Sequence, residues 1–461
     1  MRRNHIASVM RSNGKPTSSL QQIADEFLEF YKGLLATEEV CTDVDPLVVA
    51  KGQILSDNHL VQMVRDIEDE DIKEALFSIV EDKSPGPDGF TSCFFKKAWG
   101  AIGKDFTHAV KEFFVKGRML KQINHAINTL IAISNHASTV QDFRPISCCN
   151  VIYKVISKIM VSRIRPCLDY LVNPAQSAFI GQRSMIDNVY LVQELVRKYG
   201  RKWISPRCKL KVDLRKAYDT ISWKFLEGML EKLNFPSIMI NWIMQCVTTT
   251  SFSISFNGGY HGFFKGRRGI RQGDPLSPLL FVLCLEYLSR LLMSLEEKDE
   301  FKFHPKCGRL KITHLDFSDD LNFFSRGDLT SVKSILECLD KFSACFGLKA
   351  NCSKSNVYTA GMRGADLEDI REAIGFAVGE FPFRYLGIPF ASTRLNSAQY
   401  GSLVNKIASL FGSWPGNLIS YTGKLELISS VIQGVECFWL AIFPLPKAVL
   451  GHIVKLCRSF L

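Results

Sequence analysis

The feature that most constrains the fold is a pair of adjacent carboxylates inside "ITHLDFSDDLNFFSRGD". Asp319 and Asp320 lie between two apolar segments of strand-like composition. Adjacent anions repel each other, and burying them without a partner is costly. The simplest interpretation is a turn between two strands, because Asp tolerates turn geometry. The segment therefore predicts a β-hairpin with an acidic turn, and any function for the two charges depends on residues elsewhere in the chain.

A third carboxylate stands at the end of another predicted strand. In "KVDLRKAYD" (Lys211 to Asp219), Asp213 follows an alternating segment and would project from a rigid scaffold. Together with Asp319 and Asp320 it would form a cluster of carboxylates that is stable only if a cation cancels the charge. Mg²⁺ prefers such oxygen ligands, and two ions roughly 3.5–4 Å apart serve phosphoryl transfer. The pattern therefore predicts a two-metal phosphoryl-transfer site.

Composition predicts a large folded protein with an anionic partner. The chain has 461 residues, of which 46% are hydrophobic, so it is long enough for a large core and more than one lobe. Lys and Arg number 57 against 46 acidic residues, and the net charge of +11 favours nucleic acid as a partner. A basic enzyme without such a partner is the alternative. The 14 scattered cysteines signal neither a zinc site nor a disulfide framework and are expected to be reduced thiols.

The apolar stretches indicate an intracellular protein, nuclear or cytoplasmic, without a membrane segment. The N-terminal residues lack the apolar core of a secretory signal. The most apolar stretch is "PLSPLLFVLCLEYLSRLLMSL", but Glu286 and Arg290 interrupt it, and the uninterrupted part is too short to span a bilayer. It predicts a buried amphipathic helix.

Strand pairs and helices alternate irregularly along the chain, which favours an α+β fold over a doubly wound sheet. The segment "SFSISFNGGYHGFFKG" predicts a hairpin with a Gly-Gly turn, and "SPGPDG" predicts a turn near residue 85. In "RQGDPLSPLLF", Asp274 and Pro275 predict the N-cap and the first residue of the apolar helix.

Seven blocks, taken in order, carry a resemblance to one family. They are "SPGPDGF", "FRPIS", "QSAFIGQRSMIDN", "LKVDLRKAYDTISW", "RQGDPLSPLLF", "ITHLDFSDD" and "FRYLGIPF". In this order the chain, from about Lys83 to its C-terminus, resembles the reverse transcriptases of non-LTR retrotransposons, the long interspersed elements, especially those of plant genomes. The resemblance implies a right-hand polymerase fold with fingers, palm and helical thumb. We expect an N-terminal helical extension at 1–82, fingers and palm at 83–390 (core 127–389) and a thumb-like helical region at 391–461.

The resemblance also implies the catalytic residues. Asp213, Asp319 and Asp320 match the catalytic carboxylates, with Asp213 and Asp319 the surer ligands of two Mg²⁺ ions and Mn²⁺ the alternative metal. In a plain strand, residues 319 and 320 would face opposite ways, so the role of Asp320 depends on the geometry of the turn.

Five further residues match positions that contact the incoming deoxynucleotide. Tyr218 corresponds to the aromatic that excludes a 2′-hydroxyl, although a tyrosine packed at a turn is the plain alternative. Arg144 would grip the triphosphate, Gln272 would line the nucleotide pocket, and Gly273 would let the backbone approach the substrate. Lys354 matches a lysine near the triphosphate, and a solvated loop lysine is its alternative.

Basic residues interleaved with aromatics predict contact with an RNA template and DNA primer. The set comprises Arg201, Lys202 and Lys209 in "RKYGRKWISPRCKLKVDLRK", together with Arg267 and Arg268. Half of the run is also consistent with ordinary solvated surface. The predicted partners are therefore the RNA template, the DNA primer and deoxynucleoside triphosphates.

The chain departs from the family pattern in three places. Ser318 replaces the usual Ala before the paired aspartates, and Asp316 stands where the family has an apolar residue. Asp316 is either a fourth carboxylate near the metal site or a polar residue in a buried strand position. In "LIAISN", Ala132 and Ile133 replace the Pro-Lys that usually ends the fingers strand. Ile133 thus removes an expected contact to the triphosphate.

The sequence therefore predicts an RNA-directed DNA polymerase module that extends a primer 3′-hydroxyl by two-metal phosphoryl transfer. One alternative is a catalytically decayed fragment of a retroelement, because no endonuclease-like segment precedes the blocks and no cysteine-rich knuckle follows them. The other alternative is a nucleic-acid-binding protein without chemistry.

Overall fold

The computed structural model describes residues 5–134, 136–201, 204–348, 350–362, 364–393 and 395–461. Lys202, one of the predicted nucleic-acid-binding residues, lies outside these ranges. The chain divides into two compact units. Unit 1 comprises Met1–Gln182, Asp213–Phe301 and Lys333–Asn351. Unit 2 comprises Arg183–Val212, Lys302–Val332 and Cys352–Leu461.

Unit 1 is mainly helical around one four-stranded sheet. Its helices are α1 (Leu20–Leu35), α2 (Pro46–Val49), α3 (Asp57–Met63), α4 (Asp69–Phe77), α5 (Ser92–Lys97), α6 (Trp99–Lys116), α7 (Val151–Leu171), α9 (Ala217–Thr220), α10 (Trp223–Lys232), α11 (Ser237–Thr248), α12 (Ser277–Met293) and most of α13 (Leu329–Phe346). Its strands are β1 (His125–Ala132), β2 (Phe143–Cys149), β4 (Ser251–Phe256) and β5 (Gly259–Lys265). They lie in the order β2-β1-β4-β5, with β1 and β4 parallel and the other two pairs antiparallel.

The apolar helix α12 forms the centre of unit 1. By length and composition it could cross a membrane, but 83% of its apolar window is buried in the protein, so it is a core helix. The sequence predicted an amphipathic helix; instead, both polar residues that interrupt the helix are buried. Arg290 Nε donates to Glu286 Oε1 at 2.8 Å, and the guanidinium also donates to the carbonyls of Val49, Gln53 and Leu171. The two charges therefore cross-link helix α12 to neighbouring segments.

Unit 2 contains a five-stranded sheet, a short hairpin and a group of C-terminal helices. Its strands are β3 (Arg207–Asp213), β6 (His314–Phe317), β7 (Asp320–Arg326), β8 (Asn356–Ala360), β9 (Ala377–Val378), β10 (Phe383–Tyr385) and β11 (Ile388–Phe390). Its helices are α8 (Met185–Val196), α14 (Gly364–Ile374), α15 (Gly401–Ser413), α16 (Tyr421–Leu427), α17 (Gln433–Leu440) and α18 (Lys447–Phe460). The large sheet has the order β6-β7-β3-β8-β9, and β10 and β11 pair separately. Strand β3 is therefore central, between β7 and β8.

The mixture of helices and antiparallel strands confirms the predicted α+β class. The hairpin β4–β5 also forms, but its turn residues are Asn257 and Gly258, both with positive φ, and Gly259 already pairs with Phe256 in the strand. The predicted Gly-Gly turn is therefore wrong by one residue. An Asn-Gly turn is favoured in hairpins because both of its residues adopt positive φ readily.

Candidate active site

The acidic pair lies at the tip of the hairpin formed by β6 and β7. Phe317 pairs with Asp320 across the hairpin, so the turn consists of Ser318 and Asp319. Ser318 has φ of 56°, the left-handed region that non-glycine residues seldom occupy. Asp319 is exposed, whereas Asp320 is half-buried as the first residue of β7. The turn thus gives the two neighbouring carboxylates different environments.

Lys211 on the central strand β3 contacts the second carboxylate. Its Nζ lies 3.4 Å from Asp320 Oδ1 and also donates to the carbonyl of Arg384 at 2.9 Å. The pair is partly exposed, so it contributes little to stability. Its effect is local, because it partly neutralises Asp320 and leaves Asp319 as the more accessible carboxylate of the turn.

Asp213 is the last residue of β3, and the adjoining loop fixes its position. Asn351 Nδ2 donates to Asp213 Oδ2 at 3.1 Å, and the backbone N–H of Asn351 donates to the carbonyl of Asp213 at 2.9 Å. Leu214, the residue after Asp213, forms an antiparallel β-bridge with Ala350. Asn351 was not singled out from the sequence, although it lies in the segment "GLKANCSKS" that contains Lys354. Exposed Lys354 itself lies in the loop before β8.

The carboxylates have the chemistry of a magnesium site, since all three supply the hard oxygen ligands that Mg²⁺ prefers. Asp319 is exposed, and Asp213 and Asp320 are half-buried, so all three residues are accessible to solvent. Within the described ranges, no group of three or more His, Cys, Asp or Glu side chains is gathered closely enough to hold a metal ion. The residue types therefore fit the metal.

Asp316 is a buried strand residue. Its side chain is 1% exposed, its carbonyl accepts from Asn188 Nδ2 at 3.0 Å, and its Oδ2 lies 3.9 Å from His314 Nε2. Burial lowers the pKa of His314 to about 4, so this histidine is neutral at physiological pH. Of the two alternatives for Asp316, the structure supports a polar residue inside the strand.

Unit 1 brings three of the predicted nucleotide-binding residues close to one strand. The carbonyl of Gln272 accepts from the backbone N–H of Ser147 on β2 at 2.8 Å, and exposed Arg144 lies on the same strand. Gly273 has φ of 102°, and a Cβ there would lie 3.3 Å from the carbonyl oxygen of Ser147. A side chain at this position would therefore be strained by the backbone conformation, and the Ser147 carbonyl would also have to shift slightly.

Tyr218 lies beside the segment that contains Gln272 and Gly273. Its carbonyl accepts from the backbone N–H of Ile270 at 2.8 Å. Its half-buried ring stacks on Phe281 with centroids 4.6 Å apart and an interplanar angle of 19°. The ring is thus held rigidly, and part of it remains accessible to a ligand.

A buried carboxylate missed by the sequence interpretation holds Gln272. Gln272 Nε2 donates to both oxygens of Asp219, at 3.2 and 3.3 Å. Burial raises the pKa of Asp219 to about 6, against the opposing effects of Lys216 and of the hydrogen bond from Gln272. Lys216, which has φ of 52°, lies with Nζ 3.8 Å from the ring centroid of Phe30. The signal was available in "KAYDT", where Asp219 directly follows Tyr218.

Asp274 is also buried, but it is saturated with hydrogen bonds. It accepts from Tyr153 Oη and Ser157 Oγ, each at 2.7 Å, from the backbone N–H of Leu276 at 3.2 Å and from Ser277 Oγ at 3.3 Å. Helix α12 begins at Ser277 with Leu276 as its N-cap residue, so the predicted N-cap at Asp274 is wrong by two residues. Asp274 therefore lies before helix α12, and its side chain accepts hydrogen bonds from Leu276 and Ser277 at the start of that helix.

The predicted nucleic-acid-binding residues have different environments. Arg201 is exposed, whereas Arg267 and Arg268 pair with Glu38 and Glu39 at 2.9 and 2.8 Å. Lys209 is 0% exposed, and its Nζ lies 3.3 Å from the ring centroid of Phe383. A phosphate backbone cannot reach this ammonium, so burial removes Lys209 from the predicted set.

Ile133 follows β1 directly and is 54% exposed. Its backbone N–H donates to the carbonyl of Asp142 at 2.8 Å, so the backbone position is well defined. The side chain is not packed into a core, and the position can accommodate a long polar side chain.

Comparison with known proteins identifies the family. The profile described as "Reverse transcriptase (RNA-dependent DNA polymerase)" matches residues 133–390. The "Transposon TX1 uncharacterized 149 kDa protein" of Xenopus laevis is 24% identical over 100% of this chain and 35% of its own length. The "Retrovirus-related Pol polyprotein from type-2 retrotransposable element R2DM" of Drosophila melanogaster is 27% identical over 86% of this chain and 38% of its own length.

A shorter similarity links the chain to a plant protein. The "Uncharacterized mitochondrial protein AtMg01250" of Arabidopsis thaliana is 43% identical over 65 residues, which are 14% of this chain and 53% of that protein.

The chain spans little more than a third of the length of each of the two long animal relatives. Since the family profile covers more than half of the chain, the protein belongs to the reverse transcriptases, and the predicted right-hand polymerase fold is confirmed.

Proposed function

We propose that this reverse transcriptase domain extends the 3′-hydroxyl of a DNA primer on an RNA template. The hydroxyl loses its proton to solvent and its oxygen attacks the α-phosphorus of an incoming deoxynucleotide. The new P–O bond replaces the bond from the α-phosphorus to the oxygen that bridges the α- and β-phosphates, and pyrophosphate leaves. The observation that carries the proposal is the hairpin whose turn presents Asp319, in a sheet whose central strand ends at Asp213. A solvent-accessible turn of this kind suits binding of a cation better than it suits packing.

Reverse transcriptases generally use divalent metal ions, and we propose two Mg²⁺ here, with Mn²⁺ as the alternative. Asp213 and Asp319 would be the principal ligands, and Asp320 would join them if it exchanges Lys211 for metal. When bound at these residues, the ions would supply electrostatic stabilisation of the charge that develops in the reaction. Asn351 holds the carboxylate of Asp213 in one orientation, so this ligand requires little reordering when metal binds.

The neighbouring residues of unit 1 would select the nucleotide. Tyr218, held by Phe281, would exclude a 2′-hydroxyl by its bulk. Gln272, oriented by Asp219, would line the pocket, and Gly273 would let the backbone approach the substrate. Arg144 is exposed and suits the triphosphate because its guanidinium is always charged. Lys354 is proposed as a further triphosphate contact.

Arg201, Arg267 and Arg268 are proposed to contact the RNA template and DNA primer. Arg267 and Arg268 pair with Glu38 and Glu39, so a phosphate must compete with these carboxylates for the two guanidinium groups.

We also propose that the chain divides into an extension at 1–82, fingers and palm at 83–390 and a thumb at 391–461. These substrates imply an intracellular site of action, nuclear or cytoplasmic.

A plant-type element is proposed as the source. Its support is the 65-residue similarity to the Arabidopsis protein, whose identity of 43% exceeds that of the two long animal relatives. Two rivals to polymerase activity are kept: a catalytically decayed copy and a nucleic-acid-binding protein without chemistry. The decayed copy is favoured by Ile133, which lacks the charge expected beside the triphosphate.

A primer-extension assay tests the proposal. The purified chain is given a labelled DNA primer annealed to an RNA template, deoxynucleotides and Mg²⁺, and full-length product is expected only when the metal is present. Filter binding with the same duplex separates the rivals: binding without extension indicates a nucleic-acid-binding protein without chemistry, and loss of both activities indicates a decayed copy. Metal binding has its own readout, because Mg²⁺ should raise the melting temperature of the wild type more than that of Asp319→Asn.

A further inference from the structure

The side-chain amide of Gln272 is hydrogen-bonded to the protein at one end only. Its Nε2 donates to both carboxylate oxygens of Asp219, at 3.2 and 3.3 Å. Among the described residues, none donates to the carbonyl oxygen Oε1 at the other end. Because Gln272 is half-buried, this oxygen remains available to a ligand.

Asp219 dictates which end of the amide is free. Its side chain is 4% exposed, and an ionised carboxylate can only accept hydrogen bonds. The NH₂ group of Gln272 must therefore face Asp219, because a flipped amide would place its carbonyl oxygen against two other acceptors in a buried environment. The ionised carboxylate thus makes Gln272 an acceptor toward any ligand beside it.

A proton on Asp219 would change this arrangement. A protonated carboxyl has one O–H donor and keeps acceptor capacity, so it can donate to Oε1 of Gln272 while it still accepts from Nε2. Both ends of the amide would then be held by Asp219, and Oε1 would no longer be free for a ligand. Burial raises the pKa of Asp219 to about 6, so the two states exchange close to neutral pH.

Helix α1 and the segment before α9 supply neighbours of Asp219. Lys216 favours the ionised carboxylate, and its Nζ lies 3.8 Å from the ring centroid of Phe30. Burial lowers the pKa of Lys216 to about 8, so its ammonium is charged at pH 7 and below. Tyr31 donates its hydroxyl to the carbonyl of Phe143 at 3.1 Å, and burial raises its pKa. Neither neighbour changes charge near pH 6.

Two arginines complete the charged surroundings. Arg268 and Arg271 line the same small cavity as Asp219 and Gln272. Arg268 pairs with Glu39 at 2.8 Å, and Arg271 is 4% exposed. Guanidinium groups stay charged throughout this pH range. Asp219 is therefore the member of this described set whose charge changes near pH 6.

We propose that Asp219 is a positioning residue whose protonation state decides whether the Gln272 carbonyl oxygen is offered to the nucleotide. The ionised form presents Oε1 to a hydroxyl or amino group of the nucleotide, and the protonated form withdraws it. The inference rests on the proposed function, because it takes the ligand beside Gln272 to be a deoxynucleotide. It adds control by protons to the affinity of that site.

Nucleotide affinity can be measured without the chemical step. A deoxynucleoside triphosphate is titrated calorimetrically onto the whole chain with Mg²⁺, an RNA template and a primer that lacks its 3′-hydroxyl. At about pH 7, Asp219→Asn should bind roughly 3- to 10-fold more weakly than wild type, since its amide can hold both ends of Gln272 and one hydrogen bond to the nucleotide is lost. At about pH 5 the two proteins should bind equally, because wild type is then protonated.

The comparison with Asp219→Asn at each pH removes the effect of protons on the triphosphate, which both proteins share. Asp366→Asn, an exposed change on helix α14, should equal wild type at both pH values. In a Gln272→Met background, Asp219→Asn should have no effect on affinity, because Asp219 acts through the amide. A merely structural role of Asp219 would not depend on that amide.

Nuclear magnetic resonance follows the amide in the absence of nucleotide. In protein labelled with ¹⁵N at glutamine, the side-chain signals of Gln272 are identified by their loss in Gln272→Met. They should shift with a midpoint near pH 6, and Asp219→Asn should abolish that shift. Signals that do not titrate would overturn the proposal.

The remaining outcomes separate this inference from the proposed function. Equal nucleotide affinity of wild type and Asp219→Asn at about pH 7, an effect that persists in the Gln272→Met background, or no nucleotide binding at all would overturn the role of Asp219. The expected pH-dependent binding without any primer extension would overturn the proposed polymerase activity and support the role of Asp219.

Discussion

Two aspartates from two family blocks have opposite environments. Asp274 in "RQGDP" is buried and accepts hydrogen bonds from four groups, whereas Asp319 in "FSDD" is exposed in a two-residue turn. The first carboxylate already has donors for both oxygens. The second faces solvent, where a cation can bind it. The comparison teaches that burial or exposure, rather than the motif, separates a structural carboxylate from a candidate ligand.

The largest expected effect comes from replacing the exposed carboxylate, Asp319, or the other principal metal ligand, Asp213. Asp319→Asn and Asp213→Asn should each reduce primer extension by on the order of 10³-fold, because the amide removes the charge that holds metal. RNA binding and melting temperature should stay at wild-type values. Asp366→Asn, an exposed change on helix α14, is the matched control. Near-normal extension by either variant would show that the metal ligands are assigned wrongly.

Replacing the buried carboxylate, Asp274, should change stability rather than activity. Asp274→Asn places an NH₂ group among donors and should lower the free energy of unfolding by on the order of 3 kcal/mol, because hydrogen bonds to a charged acceptor are lost. Urea unfolding measures this, and extension below the melting transition should persist. Unchanged stability together with lost extension would instead give Asp274 a part in the chemistry.

Ile133 offers a gain of function on the exposed surface. Ile133→Lys should lower the apparent Michaelis constant for deoxynucleotides by roughly 10- to 100-fold, since a charge-assisted contact to the triphosphate contributes about 1.5–3 kcal/mol. The melting temperature should not change, because the residue is 54% exposed. Ile133→Gln, of similar length without charge, is the control. An equal effect of both substitutions would exclude an electrostatic contact.

Asp219 is a third case, since it is buried like Asp274 and Gln272 donates to both of its oxygens. Burial raises its pKa from 3.8 to about 6, so the folded chain binds this proton more tightly than the unfolded chain. The stabilisation is complete below about pH 4 and is lost as pH rises through about 6. Wild type should therefore lose on the order of 2 kcal/mol over that window relative to Asp219→Asn, measured by urea unfolding at several pH values. Parallel curves for the two proteins would contradict this.

The smallest effect concerns a buried cation. Lys209 Nζ has no hydrogen-bond partner in the described part of the chain, and burial holds its pKa well below the usual range. Lys209→Met should be neutral or stabilising by about 1 kcal/mol, because it removes a buried polar group while keeping the apolar stem. RNA affinity should be unchanged, whereas Arg201→Met should weaken it. Weaker RNA binding by Lys209→Met would restore the sequence-based prediction.

Local patterns predicted the elements well. Alternating apolar residues located β3 and both hairpins, and the apolar run located α12. The prediction failed for Lys209 because β3 lies in the middle of the sheet, with aromatic rings of β8 and β10 over a position that alternation marks as polar. A strand covered on both faces does not keep the simple alternation of polar and apolar residues.

The candidate site residues are predictions from the family blocks, whereas the contacts that hold them are seen only in the structure. The paired aspartates, Tyr218 and Gln272 were found from the family blocks. The roles of Asn351, Asp219 and Lys211 depend on contacts between segments distant in sequence, such as the 138 residues between Asp213 and Asn351. No local pattern encodes such a contact, because it exists only after the chain has folded.

The two-residue turn of the acidic hairpin limits how this chain can change over generations. Phe317 and Asp320 face each other across the turn, so gaining or losing one residue between them would shift the register of β6 against β7 and turn the side chains of one strand to the opposite face. Replacing Ser318 alters only a local conformation, whereas replacing Asp319 would remove a proposed metal ligand. Descendants of this sequence can therefore vary the residue at position 318 far more freely than the number of residues in the turn.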